Sequence, residues 1–353
     1  MQKNGSITSP GRICLFGEHQ DYLGLPVIPM AVNKRLKLHY LCHKEPFCVD
    51  ISSKQIEQDI KIFYNQKPRL IGSIFDYEIA VFLYFWNQIH KVNLSKILID
   101  SKIPIRAGLS SSAALLTALV FLVANIILKQ KNSLEKIAEI AYICEHDIMG
   151  ISCGRMDQYV CALGGIFHMT SQEKPRIITL NLSKEAFIIV GNSEVERKAD
   201  IPLKTVQHDI FEALRILKNP DLKKLKLEDI KSGKLSKLYQ KRLRGVIGIR
   251  DNTIEALEEL QKKKIDLNHV GKLITSQQKY LRDNYQVSHP KIDRMCAISI
   301  KKGALGAKLT GAGFGGCMFA ITDEKKIALR IKENLKSYGH SFITQIDSGV
   351  LKV

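Results

Sequence analysis

Four stretches of the chain carry small or ionisable residues where packing alone does not call for them. In SPGRICLFGEHQDYLG (9–24), Glu18, His19, Asp21 and Tyr22 crowd between Gly17 and Gly24 at the end of an apolar strand pattern. Such a cluster can simply close a turn. Hydrogen-bonding side chains this close together also suit a polyhydroxylated ligand, with the glycines letting the backbone turn around it. In IPIRAGLSSSAALLTALVFLVANII, Gly108, Leu109, Ser110, Ser111 and Ser112 open an apolar helix. One serine is enough to cap a helix. Three after a glycine point to an anion, because a helix N-terminus offers unpaired N–H groups and the positive end of the dipole. The loop lacks the Gly-Lys-Ser/Thr of a Walker motif, so it would bind phosphate through N–H groups and hydroxyls. A serine hydroxyl can also serve as a magnesium ligand.

The third stretch is SLEKIAEIAYICEHDIMGISCGRMDQYV (133–160). On a helix starting after Ser133, the 3.6-residue period puts Leu134, Ile137, Ala138, Ala141 and Ile148 on one face. Glu145 falls in the middle of that stripe, while Asp147 points away. A carboxylate aimed at the core is costly unless it is paired or bound to a metal, so Glu145 is either half of a buried salt bridge or a site residue. Asp157 follows beyond Gly150 and Gly154, where the helix must break. The fourth stretch, AKLTGAGFGGCMFAI (307–321), is rich in glycine, which lets a backbone approach a phosphate or a neighbouring strand closely.

The elements around these stretches read as strands over 12–16, 26–41, 47–51, 96–100, 165–169, 176–182 and 186–191, and helices over 74–90, 113–128 and 133–149. The second half reads as mostly helical, over roughly 203–217, 234–262, 267–284 and 289–301, with a glycine-rich hairpin near 304–321, a helix near 324–337 and a last strand near 341–346. This pattern is α+β rather than repeating βαβ, which argues against a doubly wound nucleotide fold. A chain of 353 residues allows two domains, and the spacing puts the boundary near 170–190.

Composition is that of a globular protein, with 45% hydrophobic and 25% charged residues. The net charge of +18 suits an anionic ligand, a membrane surface or nucleic acid. The lysines are scattered, however, and the denser segment 218–244 mixes in acids at helical spacing. With no zinc-finger spacing, aromatic-interleaved basic strand or basic arm, no nucleic-acid partner is expected. The eight cysteines include no CxxC pair, which fits reduced thiols in a cytoplasmic protein. The N-terminal MQKNGSITSPGR lacks the apolar core of a signal peptide. The apolar run Ala113–Leu128 is shorter than the roughly 20 residues that span a bilayer, so no membrane partner is expected either. Nothing in the sequence speaks to oligomeric state.

Three of the stretches, PGRICLFGEHQDYLG, IPIRAGLSSSAAL and KLTGAGFGGC, occur in the order of the GHMP kinase motifs, and the chain resembles that superfamily from Pro10 to about Ile321. GEHQDY, CGRMDQYV and LRDNYQVSHPKID (281–293) are similar to galactokinase-like members in particular. The resemblance implies a two-domain GHMP kinase fold with the active site in the cleft between an N-terminal nucleotide- and metal-binding domain (1–178) and a C-terminal domain (179–353). It implies ATP and Mg2+ as cofactors and a sugar as substrate, phosphorylated at the anomeric hydroxyl. By the same resemblance, Asp157 is the catalytic carboxylate paired with Arg12. Gly108, Leu109, Ser110, Ser111 and Ser112 surround the ATP phosphates, Ser112 and Glu145 hold magnesium, and Glu18, His19, Asp21 and the backbone near Gly154 bind the sugar.

The sequence departs from the galactokinase pattern in three places. Arg106 stands where a small residue is usual, Gln20 replaces a Thr, and GNSEVERKADIPLKTVQHD (191–209) lacks the Tyr-Asn…Arg-Arg segment whose Tyr approaches the sugar. Alternatives are a mevalonate-type kinase, which has no use for QDY or LRDNYQVSHP, and a sugar- and ATP-binding regulator with weak turnover.

Overall fold

The fold, taken from a computed structural model, is described for residues 3–170, 174–183, 185–195, 200–231 and 233–353. Its first half contains β1 (Lys3–Phe16), β2 (Pro26–Cys42), β3 (Cys48–Ser53), β4 (Gln58–Phe63), α1 (Asp76–Tyr84), β5 (Leu94–Ser101), α2 (Ser111–Phe121), α3 (Leu134–Ile143), α4 (Met156–Leu163), β6 (Ile166–Thr170) and β7 (Arg176–Leu180). The second half contains β8 (Phe187–Asn192), α5 (Asp200–Ile216), α6 (Lys237–Leu260), α7 (Leu267–Lys279), α8 (Pro290–Lys301), β9 (Gly306–Thr310), β10 (Cys317–Thr322), α9 (Lys325–Leu335), β11 (Ser341–Thr344) and β12 (Leu351–Lys352). The architecture is α+β, as the spacing predicts.

The larger sheet runs β12-β1-β2-β5-β3-β4, and β6 extends from β2 and carries β7. Its pairings are antiparallel except that of β3 with β5. The smaller sheet runs β11-β8-β10-β9 and is wholly antiparallel. The chain crosses from one sheet to the other between Leu180 and Phe187 and then comes back. Ile346 bridges to Val32 and β12 pairs with β1, a return that a single division at 178/179 leaves out.

Helix α2 explains why the serine loop is held rigidly. Its residues are apolar all round, and Ala113, Ala114, Leu116, Ala118, Leu119 and Val120 are buried, as expected of a helix without a polar face. It lies in the main core with β1, β2, α1 and α3, so its N-terminus cannot shift without disturbing that core. Helices α5–α9 pack with the smaller sheet around a second core containing Ile210, Leu243, Tyr285, Met295 and Ile331.

Three features differ from the sequence reading. Strand β1 begins well before Arg12, because its outer half pairs with the polar-alternating half of β2. Strand β4 lies outside the elements the sequence predicts: it is a short edge strand whose apolar alternation is limited to Ile60 and Ile62, of which only Ile62 is buried. The helices expected to continue through 149 and 284 end in wide π-helical turns, Cys144–Ile148 and Tyr280–Tyr285. Such turns often sit at functional sites, and both lead into the residues described next. Among the described residues, no helix is long and apolar enough to cross a membrane.

Candidate active site

Ser110 occupies the N-cap position of α2 with φ 60° and ψ 45°, a left-handed conformation, and makes no side-chain cap. Its hydroxyl instead donates to Asp157 Oδ2 at 2.6 Å. Capping alone therefore does not explain the serines, and the first-turn N–H groups of α2 receive no cap from Ser110. Asp157, in the first turn of α4, also takes a two-pronged contact from Arg12, Nε to Oδ1 at 2.8 Å and Nη2 to Oδ2 at 2.9 Å. The third guanidinium nitrogen of Arg12, Nη1, donates to the Gly108 carbonyl at 2.6 Å. Arg12 is buried, while the Asp157 side chain stays about 30% exposed. The carboxylate is thus fixed from behind and open in front.

Glu145 is buried in the π-helical turn, and Asp147 is exposed, as the helical arithmetic expects. Ser112 Oγ donates to Glu145 Oε1 at 3.1 Å and Gln158 Nε2 donates to Oε2 at 2.6 Å. Glu145 has no ion-pair partner among the described residues, which removes the buried salt bridge as its explanation. Burial, and next the nearby Asp157 charge, push its carboxyl up to about 7. A desolvated carboxylate beside a serine hydroxyl, with no cation to balance it, is a hard-oxygen donor set of the kind magnesium takes when substrate phosphates and water complete its shell.

The ligand cluster after β1 is also buried at Glu18 and His19. His19 stacks on Tyr285 with ring centroids 5.5 Å apart, and Gln20 Nε2 donates to the Tyr285 hydroxyl at 3.1 Å. Asp21 lies against Gly154 so closely that an added Cβ there would sit 2.0 Å from Oδ2. Burial, and after it Asp157, push Asp21 up to about 7. Asp21 and Gly154 line a cavity of about 310 Å³ whose other walls include Tyr142, His146, Gln207 and Phe211. Sequence reading missed these four. They belong to α3, the turn after it, and α5, and nothing in their local spacing links them to Asp21. In segment 191–209, residues 196–199 lie outside the described residues.

The glycine-rich hairpin closes the site from the second sheet. Gly311, at φ 84°, presses on Gly108, where a Cβ would come within 2.6 Å of the Gly108 Cα. Cys317 N donates to the Ala107 carbonyl at 2.8 Å, and the Gly311 N–H bonds to the Glu18 carboxylate. Segment 281–293 braces both motifs, with Tyr285 under His19 and the Val287 carbonyl accepting from Phe314 N at 2.6 Å. Arg106, just before the serine loop, is exposed.

Models of known families match this chain in three places: GHMP kinases N terminal domain over 77–165, GHMP kinases C terminal over 253–341, and the galactokinase galactose-binding signature over 2–38. The chain belongs to the GHMP kinase superfamily. Among curated relatives of this GHMP kinase, a galactokinase of Thermotoga neapolitana is 29% identical over 342 residues, covering 94% of this chain and 93% of the relative. A galactokinase of Pyrococcus furiosus is 29% identical, covering 91% and 90%. Among solved structures, Lactococcus lactis galactokinase complexed with galactose superposes with a TM-score of 0.86 at 22% identity, covering 99% of this chain and 95% of that one. Mevalonate kinase of Methanococcus jannaschii superposes with a TM-score of 0.73 at 21% identity, covering 98% and 99%. The two-domain GHMP kinase fold is thereby established. The loop of Gly108–Ser112, the Ser112–Glu145 pair, the Arg12–Asp157 pair and the Glu18–Asp21 cluster all face one another in it.

Proposed function

We propose that this GHMP kinase transfers the γ-phosphoryl group of ATP to a hydroxyl of a galactose-like sugar, at the anomeric position. The observation that carries this reading is the placement of Asp157. It is tied to the serine loop through Ser110 and lies close enough to Asp21, at the lip of the cavity, to perturb its ionisation. The galactose-binding signature and the relatives named galactokinase support a sugar as acceptor.

In this reading, Gly108, Leu109, Ser110, Ser111 and the uncapped start of α2 receive the ATP phosphates. Ser112 and Glu145 hold Mg2+, which when bound offsets phosphate charge. Glu18, His19, Asp21 and the backbone at Gly154 orient the sugar. Phosphoryl transfer passes through a loose transition state in which the nucleophile forms little bond, so positioning and charge neutralisation matter most. Asp157, locked by Arg12 and Ser110, orients the acceptor hydroxyl and takes its proton late. Residues up to about 178 carry nucleotide and metal, and the second sheet contributes the closing hairpin. None of the eight cysteines, all of them among the described residues, is in a disulfide, which supports a cytoplasmic setting.

The test is a panel of free sugars with MgATP and with ATP lacking magnesium, scored for ADP release and for the position of the new phosphate. Galactose, N-acetylgalactosamine, glucose, fucose, arabinose and uronic acids form the panel, with mevalonate as control. A single sugar phosphorylated at C1 only with magnesium is the expected result. Turnover of mevalonate alone would overturn the sugar assignment, and ligand binding without turnover would overturn the kinase one.

A further inference from the structure

Strand β9 is buried at every position, yet its centre is Lys308, whose side chain has no exposure at all. An ammonium in such a place is tolerated only when paired and hydrogen-bonded. Its contacts are the Cys14 carbonyl, 2.8 Å from Nζ, Glu18 Oε2 at 3.5 Å, and the Phe319 ring, whose centroid is 5.3 Å away. Cys14 and Glu18 belong to β1 and the turn after it, in the larger sheet, while Lys308 and Phe319 belong to the smaller one. Two residues on, Thr310 Oγ1 accepts from Cys14 N at 3.0 Å. The lysine therefore grips the far side of the ligand cluster from across the cleft. The strand has no need of it for packing, since an uncharged side chain of similar length would fill the same space.

We propose that Lys308 is a positioning residue that holds the Glu18 carboxylate in place for the sugar, so that the closing hairpin and the sugar cluster act as one unit. Glu18 is enclosed between Lys308 and Arg12, with the Gly311 N–H as a further donor and Asp157 as a nearby like charge. Burial pushes its carboxyl up, and Lys308 and then Arg12 act against that without cancelling it. Arg12 is already committed to Asp157 and Gly108, which leaves Lys308 as the group that answers Glu18. What Glu18 does rests on the sugar-kinase reading; the pairing of Lys308 with Glu18 does not.

The experiment is a double-mutant cycle with Lys308→Met, Glu18→Gln and the double variant, plus Lys308→Arg, all compared with the intact protein. We expect Lys308→Met to raise the sugar KM about tenfold or more, as for contacting charged partners, with the ATP KM unchanged and Lys308→Arg recovering most of the loss. In the Glu18→Gln background, adding Lys308→Met should leave the sugar KM nearly unchanged and raise the melting temperature, because it removes the ammonium that Glu18→Gln leaves unpaired. An equal effect of Lys308→Met in both backgrounds, or a parallel rise in both KM values, overturns the proposal. If the intact protein phosphorylates no sugar, the sugar-kinase reading fails by itself. The melting-temperature cycle then still decides the pair. Should Lys308→Met alone not fold, a folded double variant supports the pairing and an unfolded one overturns it.

Discussion

Ser110 sits at the mouth of α2 and yet turns its hydroxyl to Asp157, 2.6 Å away, rather than to the helix N–H groups behind it. One residue thereby leaves the helix mouth open for an anion and steadies the carboxylate that faces it. Ser110→Gly separates the two roles. Relief of the left-handed backbone, worth about 1–3 kcal/mol, should roughly offset the lost hydrogen bond to a charged group, worth about 1.5–3 kcal/mol. Urea unfolding should therefore change by less than about 1 kcal/mol while turnover drops. A large loss of stability with full activity would return Ser110 to ordinary capping.

Asp157→Asn keeps the shape of the side chain and removes its charge. We expect kcat to fall by about 10²–10⁴, the range for a positioned acid–base group, with nucleotide still bound. Near-native turnover would take Asp157 out of the reaction.

Gly154→Ala tests the sugar cluster by contact alone. The added methyl would stand 2.0 Å from Asp21 Oδ2, so Asp21 must move. Misplacing a positioning group by about 1 Å can cost on the order of 100-fold; we expect the sugar KM to rise at least tenfold on that scale, with the ATP KM unaltered. An unchanged sugar KM would show that Asp21 does not hold the acceptor.

Glu145→Gln keeps the bond from Ser112 Oγ possible but removes a charged oxygen ligand. The magnesium concentration for half-maximal turnover should rise, and an unchanged titration in the folded variant would argue against ligation.

Glu78 offers a pH test on α1, the helix that packs against α2 and the turn holding Glu145. It is buried in α1, its Oε2 has no hydrogen-bond partner among the described residues, and burial pushes its carboxyl up to about 7 from an ordinary 4.5. Between those values the folded protein keeps a proton that the unfolded chain has lost, so stability falls as pH rises through that window. The shift corresponds to roughly 3 kcal/mol above pH 7. Glu78→Gln should therefore raise the melting temperature at pH 8 and do little near pH 4.5. The same gain at both pH values would contradict this account.

Much of the site could be read from the sequence because its parts are local. The glycine–serine loop, the polar cluster between Gly17 and Gly24, and Glu145 on the apolar stripe each declare themselves within a few residues. Glu145 was legible even though the helix widens into a π turn there, because the departure begins only at Cys144. Lys308 was not legible, because its partner lies 290 residues away in sequence and a lysine within a strand pattern normally faces water. Gln207 and Phe211 were hidden for a similar reason. They reach the cavity only because α5 packs across the cleft, and no local pattern records that packing.

The return of β12 to β1, sealed by the Arg35–Asp347 ion pair at 2.7 Å, ties the two halves of the molecule together. The strand that carries Arg12 and leads to Glu18 is edged by β12. Removing β12 would expose that edge, and the N-terminal lobe expressed as a separate fragment would lack this strand of its sheet.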